Sequence, residues 1–122
     1  MEAAMSVLDA PDAIGYVRSD VSGSRREWDE IQIRTVAGRL GYNLKKTIVF
    51  GANVYEPVQA LQQIVRSQKI DAVVVPSLAH FEADAPPREL VQITDVITVS
   101  PEYTYARRST GALPEEGEAG GR

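Results

Sequence analysis

Apolar residues fall along this chain in two rhythms. Short unbroken or alternating runs at residues 13–17, 47–50, 72–75 and 95–99 predict strands. Between them apolar positions recur every three or four residues. Ile33, Val36, Ala37 and Leu40 predict a helix over residues 25–40. Val58, Leu61, Ile64 and Val65 predict a second over residues 57–67. Strands that alternate with helices imply an α/β fold with right-handed crossovers. The run Ala72-Val73-Val74-Val75 has no polar face, which suits a parallel strand covered by helices on both sides. The expectation is one three-layer domain with a mostly parallel, four-stranded sheet flanked by helices.

Punctuation supports these boundaries. Pro11 precedes the first strand, and residues 19–26 hold Ser19, Asp20, Ser22, Gly23 and Ser24, a loop composition. Ser24 and Glu27 have capping-box spacing. Gly41 follows the last periodic position of the first helix, where a left-handed stop is needed. Gly51-Ala52-Asn53 breaks the second strand, and Pro57 fits a helix's first turn. Pro76 ends the third strand; residues 83–87 read as a loop and 87–92 as one or two helical turns. The domain is expected over residues 12–100, with a flexible segment at 1–11 and a largely disordered tail at 101–122.

With 122 residues, 43% of them hydrophobic, the chain can bury a core and is not of the disordered class. No apolar run approaches the roughly 20 residues needed to span a bilayer, so no membrane association is expected. Residues 1–11 lack the basic start of a signal peptide, and a cytoplasmic location is the default expectation. The absence of cysteine excludes disulfides and thiolate metal sites. A net charge of -4 argues against strong non-specific duplex binding. Arg25, Arg26, Arg34, Arg39, Lys45 and Lys46 are close in sequence, but Glu27, Asp29 and Glu30 are interleaved with them.

Ile14-Gly15-Tyr16-Val17-Arg18, Gln32 in the first helix and Leu61-Gln62-Gln63-Ile64 in the second carry a resemblance. Over about residues 13–99 the chain resembles the catalytic domain of the serine recombinases, the resolvase/invertase family. The resemblance implies a resolvase-like fold. It also implies that Arg18 occupies the position of an arginine that helps hold the scissile phosphate. The family reads Tyr-x-Arg-x-Ser, with the serine as nucleophile; here that position is Asp20. An Arg-Pro pair that often starts the family's second helix is Glu56-Pro57. The family's two arginines after the third strand are absent from Leu78-Ala79-His80-Phe81-Glu82-Ala83, with Ala79, His80 and Ala83 near their places.

Phosphoryl transfer depends on cations around the transferring phosphate, and losing one such group costs roughly two to three orders of magnitude in rate. Losing the nucleophile and most of the arginines together implies a non-catalytic domain that acts by binding. A protein partner is expected, with DNA as the alternative, as a monomer or weak homodimer. The remaining candidates are few. Arg18, Ser19 and Ser22 could bind an anion at a strand's C-terminal edge, against an ion pair of Arg18 with Asp20. Ser19 or Ser22 could serve as a shifted nucleophile and so retain strand transfer. His80, the one histidine, could be an acid or base but reads as structural or solvent-facing. Asp20, Glu56 and Glu82 could share magnesium on paper, but read as separate loop charges, so no metal or cofactor is expected. Tyr16 and Trp28 read as packing residues. Tyr103, Tyr105, Arg107 and Arg108 read as a solvated tail, with docking back on the domain as the alternative.

Overall fold

The computed structural model describes residues 10–108. Strand β1 (Asp12–Arg18) is followed by a short helix α1 (Ser19–Ser22), a 3-10 turn (Gly23–Arg25) and helix α2 (Arg26–Arg39). Strand β2 (Asn43–Phe50), helix α3 (Pro57–Gln68) and strand β3 (Ala72–Val75) come next. After two 3-10 turns (Leu78–His80 and Glu82–Asp84) come helix α4 (Arg88–Val91), strand β4 (Asp95–Thr98) and strand β5 (Tyr103–Tyr105). The sheet has five strands in the order β2-β1-β3-β4-β5. All neighbours pair in parallel except β4 and β5, which are antiparallel.

Period-two alternation in the strands feeds two cores. Ile14, Tyr16, Val73, Val75 and Val96 point to the face covered by Leu61 and Val65 of α3 and by Leu90 and Val91 of α4. Ala13, Val17, Ala72, Val74 and Ile97 point to the other face, beneath Ile33, Val36 and Ala37 of α2. Every residue of β3 is buried, as its unbroken apolar run requires. Gly15 is where the α2 layer lies closest. A Cβ there would come within 2.6 Å of the Thr47 hydroxyl and 2.9 Å of Ile33 Cγ2.

The two long helices stop as their sequences dictate. Gly41, at φ +88°, lets Tyr42 N–H reach Ala37 O at 2.9 Å and its own N–H reach Gly38 O at 3.1 Å, satisfying the last carbonyls of α2. Lys69 takes the same left-handed role after α3 without being glycine (φ 54°). Pro57 opens α3, where no amide is needed.

Four expectations need correction. The sheet has five strands, not four: the segment assigned to a tail supplies β5. Tyr103 and Tyr105 pack edge to face at 4.6 Å, Arg107 N–H bonds Asp95 Oδ1 at 2.7 Å, and Arg108 N–H bonds Val91 O at 2.8 Å. A three-residue strand offers too little alternation to read, and its stability comes from these distant partners. Residues 19–26 form helical turns, not a loop, because the polar side chains bond locally and Gly23 takes a positive φ of 57°. The Ser24–Glu27 box is not formed, since the turn runs directly into α2 and Arg25 occupies the cap position. Trp28 is 53% exposed and so is no core residue. In addition, β2 starts at Asn43, four positions before the apolar run, because it follows β1 with a register shift between Ala13 and Ile14. The expected flexibility of residues 1–9 and the tail beyond residue 108 lie outside the described residues. Among the described residues no helix is long and apolar enough to cross a membrane.

Candidate functional site

In the sheet, β2 lies on one side of β1 and β3 on the other. The connections from β1 and from β2 therefore diverge, and open α/β sheets bind ligands at the strand C-termini beside such a switch point. A cleft of about 790 Å³ occurs there. Tyr16 and Arg18 of β1 form part of its wall, facing the turn that carries His80 to Ala83. The β2–α3 connection adds Tyr55 and Glu56, the first turn of α3 adds Val58 and Gln59, and Glu89 comes from α4.

The anion-binding candidates are engaged elsewhere, Arg18 and Ser22 with carboxylates and Ser19 with the backbone. Arg18 directs Nε to Asp20 Oδ1 at 3.1 Å and Nη2 to Asp20 Oδ2 at 2.8 Å, a two-pronged pair of the expected kind. The guanidinium holds the Asp20 carboxyl below the usual carboxylate range. Ser19 Oγ donates to Phe50 O at 3.4 Å. Ser22 is buried, stands outside the cleft and donates to Asp29 Oδ2 at 2.5 Å. Neither hydroxyl is aimed at the space where a phosphate would sit beside Arg18.

His80 is buried against the end of β1, and its Nδ1 accepts the Arg18 N–H at 2.9 Å. That bond fixes the neutral tautomer with the proton on Nε2, leaving one ring donor for the cleft. Burial pushes its pKa below the ordinary histidine value; Asp29 opposes this, Arg18 adds to it and Asp20 opposes it again. Tyr16 is fully buried, stacked on Phe81 at 5.4 Å and edge-on to Phe50 at 5.9 Å. Its hydroxyl has no hydrogen-bond partner. Burial is the main reason its pKa rises to about 12; the nearby Arg18 guanidinium pulls the other way without meeting hydrogen-bond geometry, and Asp20 and Glu82 add to the rise.

Three carboxylates stand in an otherwise largely apolar and neutral lining. Glu56, Glu82 and Glu89 all border the cleft, all are exposed, and none forms a salt bridge among the described residues. Of the other family-derived positions, Ala83 lines the cleft and Ala79 does not. Glu56 (φ 52°) and Ala83 (φ 64°) hold left-handed backbone, a strained conformation for non-glycine residues that gathers at functional clefts. Asp20, Glu56 and Glu82 do not converge: among the described residues no three acidic or histidine side chains form a metal-holding group.

Sequence reasoning did not single out Tyr55, Glu89 or Asp29 in these roles. Tyr55 and Glu89 meet only through the chain crossing between β2 and α4. Asp29, read as part of a solvated helix face, is 8% exposed and holds Ser22. No family model and no curated protein matches this chain.

Proposed function

We propose that this chain is a non-catalytic, resolvase-like domain that works by binding, and that its partner is a protein rather than DNA. One observation carries the reading. The positions at which the resemblance calls for a nucleophile and cations are Asp20, Glu56, His80 and Ala83, and Arg18, the sole arginine or lysine lining the cleft among the described residues, is paired with Asp20. A phosphodiester would meet carboxylates at the edge where its charge needs cancelling. The serines that might have moved into the nucleophile's place donate to Phe50 O and to Asp29 instead.

A DNA-binding role has one observation in its favour: Arg25, Arg34, Lys45 and Lys46 are exposed and form no salt bridge among the described residues. Arg26 and Arg39, by contrast, pair with Glu30 and Glu102. Arg25 lies just before α2, Arg34 in its middle, and Lys45 and Lys46 in β2, and Glu27 and Asp29 lie among them in sequence, which weakens any phosphate-tracking field.

Incubation of the purified chain with supercoiled plasmid tests the loss of chemistry. The plasmid stays intact if the reading is right. Nicking that is abolished by Ser19→Ala or Ser22→Ala would overturn it in favour of residual strand transfer by a shifted serine.

A further inference from the structure

We infer that the cleft receives the guanidinium of an arginine side chain carried by the protein partner. This deepens the binding reading above and rests on it. Charge is the first argument. Glu56, Glu82 and Glu89 line the cleft from three separate segments and form no salt bridge among the described residues. Arg18 contributes little positive field, because Asp20 closes on it from two directions. A cationic guest would gain three carboxylates as partners.

The second argument is independent of charge. Tyr16 lies in the cleft wall, fully buried, with a hydroxyl that makes no hydrogen bond among the described residues, the Arg18 guanidinium lying beside it. Buried polar groups are nearly always satisfied, and leaving one unmade costs about 1–3 kcal/mol. An incoming N–H would satisfy that oxygen, with a small shift of the neighbouring Arg18 side chain exposing it.

Shape narrows the class of cation. The carboxylates are too dispersed to close on a metal ion. A guanidinium is wide and planar, presents five donors in a fork, and stacks on aromatic faces. Tyr55, 86% exposed at the cleft, offers such a face.

The test is a titration of the full chain, followed by amide NMR, with three capped tripeptides. These are acetyl-Gly-Arg-Gly-amide, its neutral citrulline counterpart and acetyl-Gly-Glu-Gly-amide. A single anchor of this size should bind with Kd of about 1 mM. The arginine peptide should give saturable shifts at Tyr55, His80 and Ala83. The citrulline and glutamate peptides should not. Glu82→Gln with Glu89→Gln should weaken the arginine peptide roughly tenfold, and Tyr16→Phe severalfold, with the rest of the spectrum unchanged. Three results would overturn the inference: no cleft shifts at about ten times the expected Kd, equal shifts with citrulline, or preference for the glutamate peptide. The glutamate result would mean that Arg18 leaves Asp20 to take an anion. None of these touches the wider reading, which falls with plasmid nicking or DNA binding instead.

Discussion

The two ends of the parallel sheet use the same kind of residue in opposite ways. At the amino-terminal end Asp12, Asp71 and Asp95 stand at or just before the starts of β1, β3 and β4, and each carboxylate is engaged. Asp71 Oδ2 accepts the Asp12 N–H at 2.9 Å, and Asp12 Oδ1 accepts Asn43 Nδ2 at 3.0 Å. Asp95 takes the Arg107 N–H at 2.7 Å and the Tyr42 hydroxyl at 3.5 Å. At the carboxyl-terminal end Glu56, Glu82 and Glu89 border open space and form no salt bridge among the described residues. Carboxylates that accept backbone amides hold strands together. Carboxylates left facing a cleft beside an unsatisfied tyrosine hydroxyl are available to something else. The difference separates an end whose carboxylates hold strands from an end whose carboxylates stay open, without reference to any catalytic motif.

Substitutions can break or sharpen that contrast, and the sheet between the two ends sets the scale. Leu61→Ala empties a fully buried position of the α3-side core. It should cost about 2–5 kcal/mol in urea unfolding. Asp95→Ala at the closed end removes the acceptor of Arg107 N–H and Tyr42 and should cost about 1–2 kcal/mol, with β5 the first segment to lose amide protection from exchange. A loss near zero would mean that the closed end is not held by its carboxylates.

Smaller effects belong to the open end. His80 is held neutral, so its folded pKa lies below the unfolded value and the unfolded chain binds the extra proton first. Its contribution is complete above pH about 6.5 and fades as pH falls through the folded pKa. Urea midpoints should drop on acidification through that window, and His80→Gln should flatten the drop. Tyr16→Phe removes a buried hydroxyl with no partner, so stability should hold or rise by up to about 1 kcal/mol; a clear loss would reveal a bond that the hydroxyl already makes. Ala83→Gly relieves a left-handed alanine and should raise the unfolding free energy by less than about 1 kcal/mol.

Most of the sheet was legible because burial writes directly into sequence. The four predicted strands and both long helices rest on runs such as Ala72 to Val75 and on the spacing of Ile33, Val36 and Ala37, all buried as expected. β5 was not legible, since Tyr103-Thr104-Tyr105 owes its place to β4 and to Asp95, not to its own pattern. The Arg18–Asp20 pair followed from proximity in sequence. The cleft could only be half seen: the residues around Arg18 and His80 stood out by resemblance, whereas Tyr55 and Glu89 join them through tertiary contact alone. Trp28 misled because a large aromatic on a helix is usually packed, and here it is on the solvent side.

On the proposed reading, the carboxyl-terminal edge is a binding site without affinity for phosphate. Fluorescence anisotropy of labelled duplex DNA, titrated with the chain at low and at physiological salt, tests it most directly. No binding is expected even at low salt, where any phosphate contacts would be strongest. Tight, salt-sensitive binding that Arg18→Ala weakens would contradict it, and would show that Arg18 still serves phosphate in spite of Asp20.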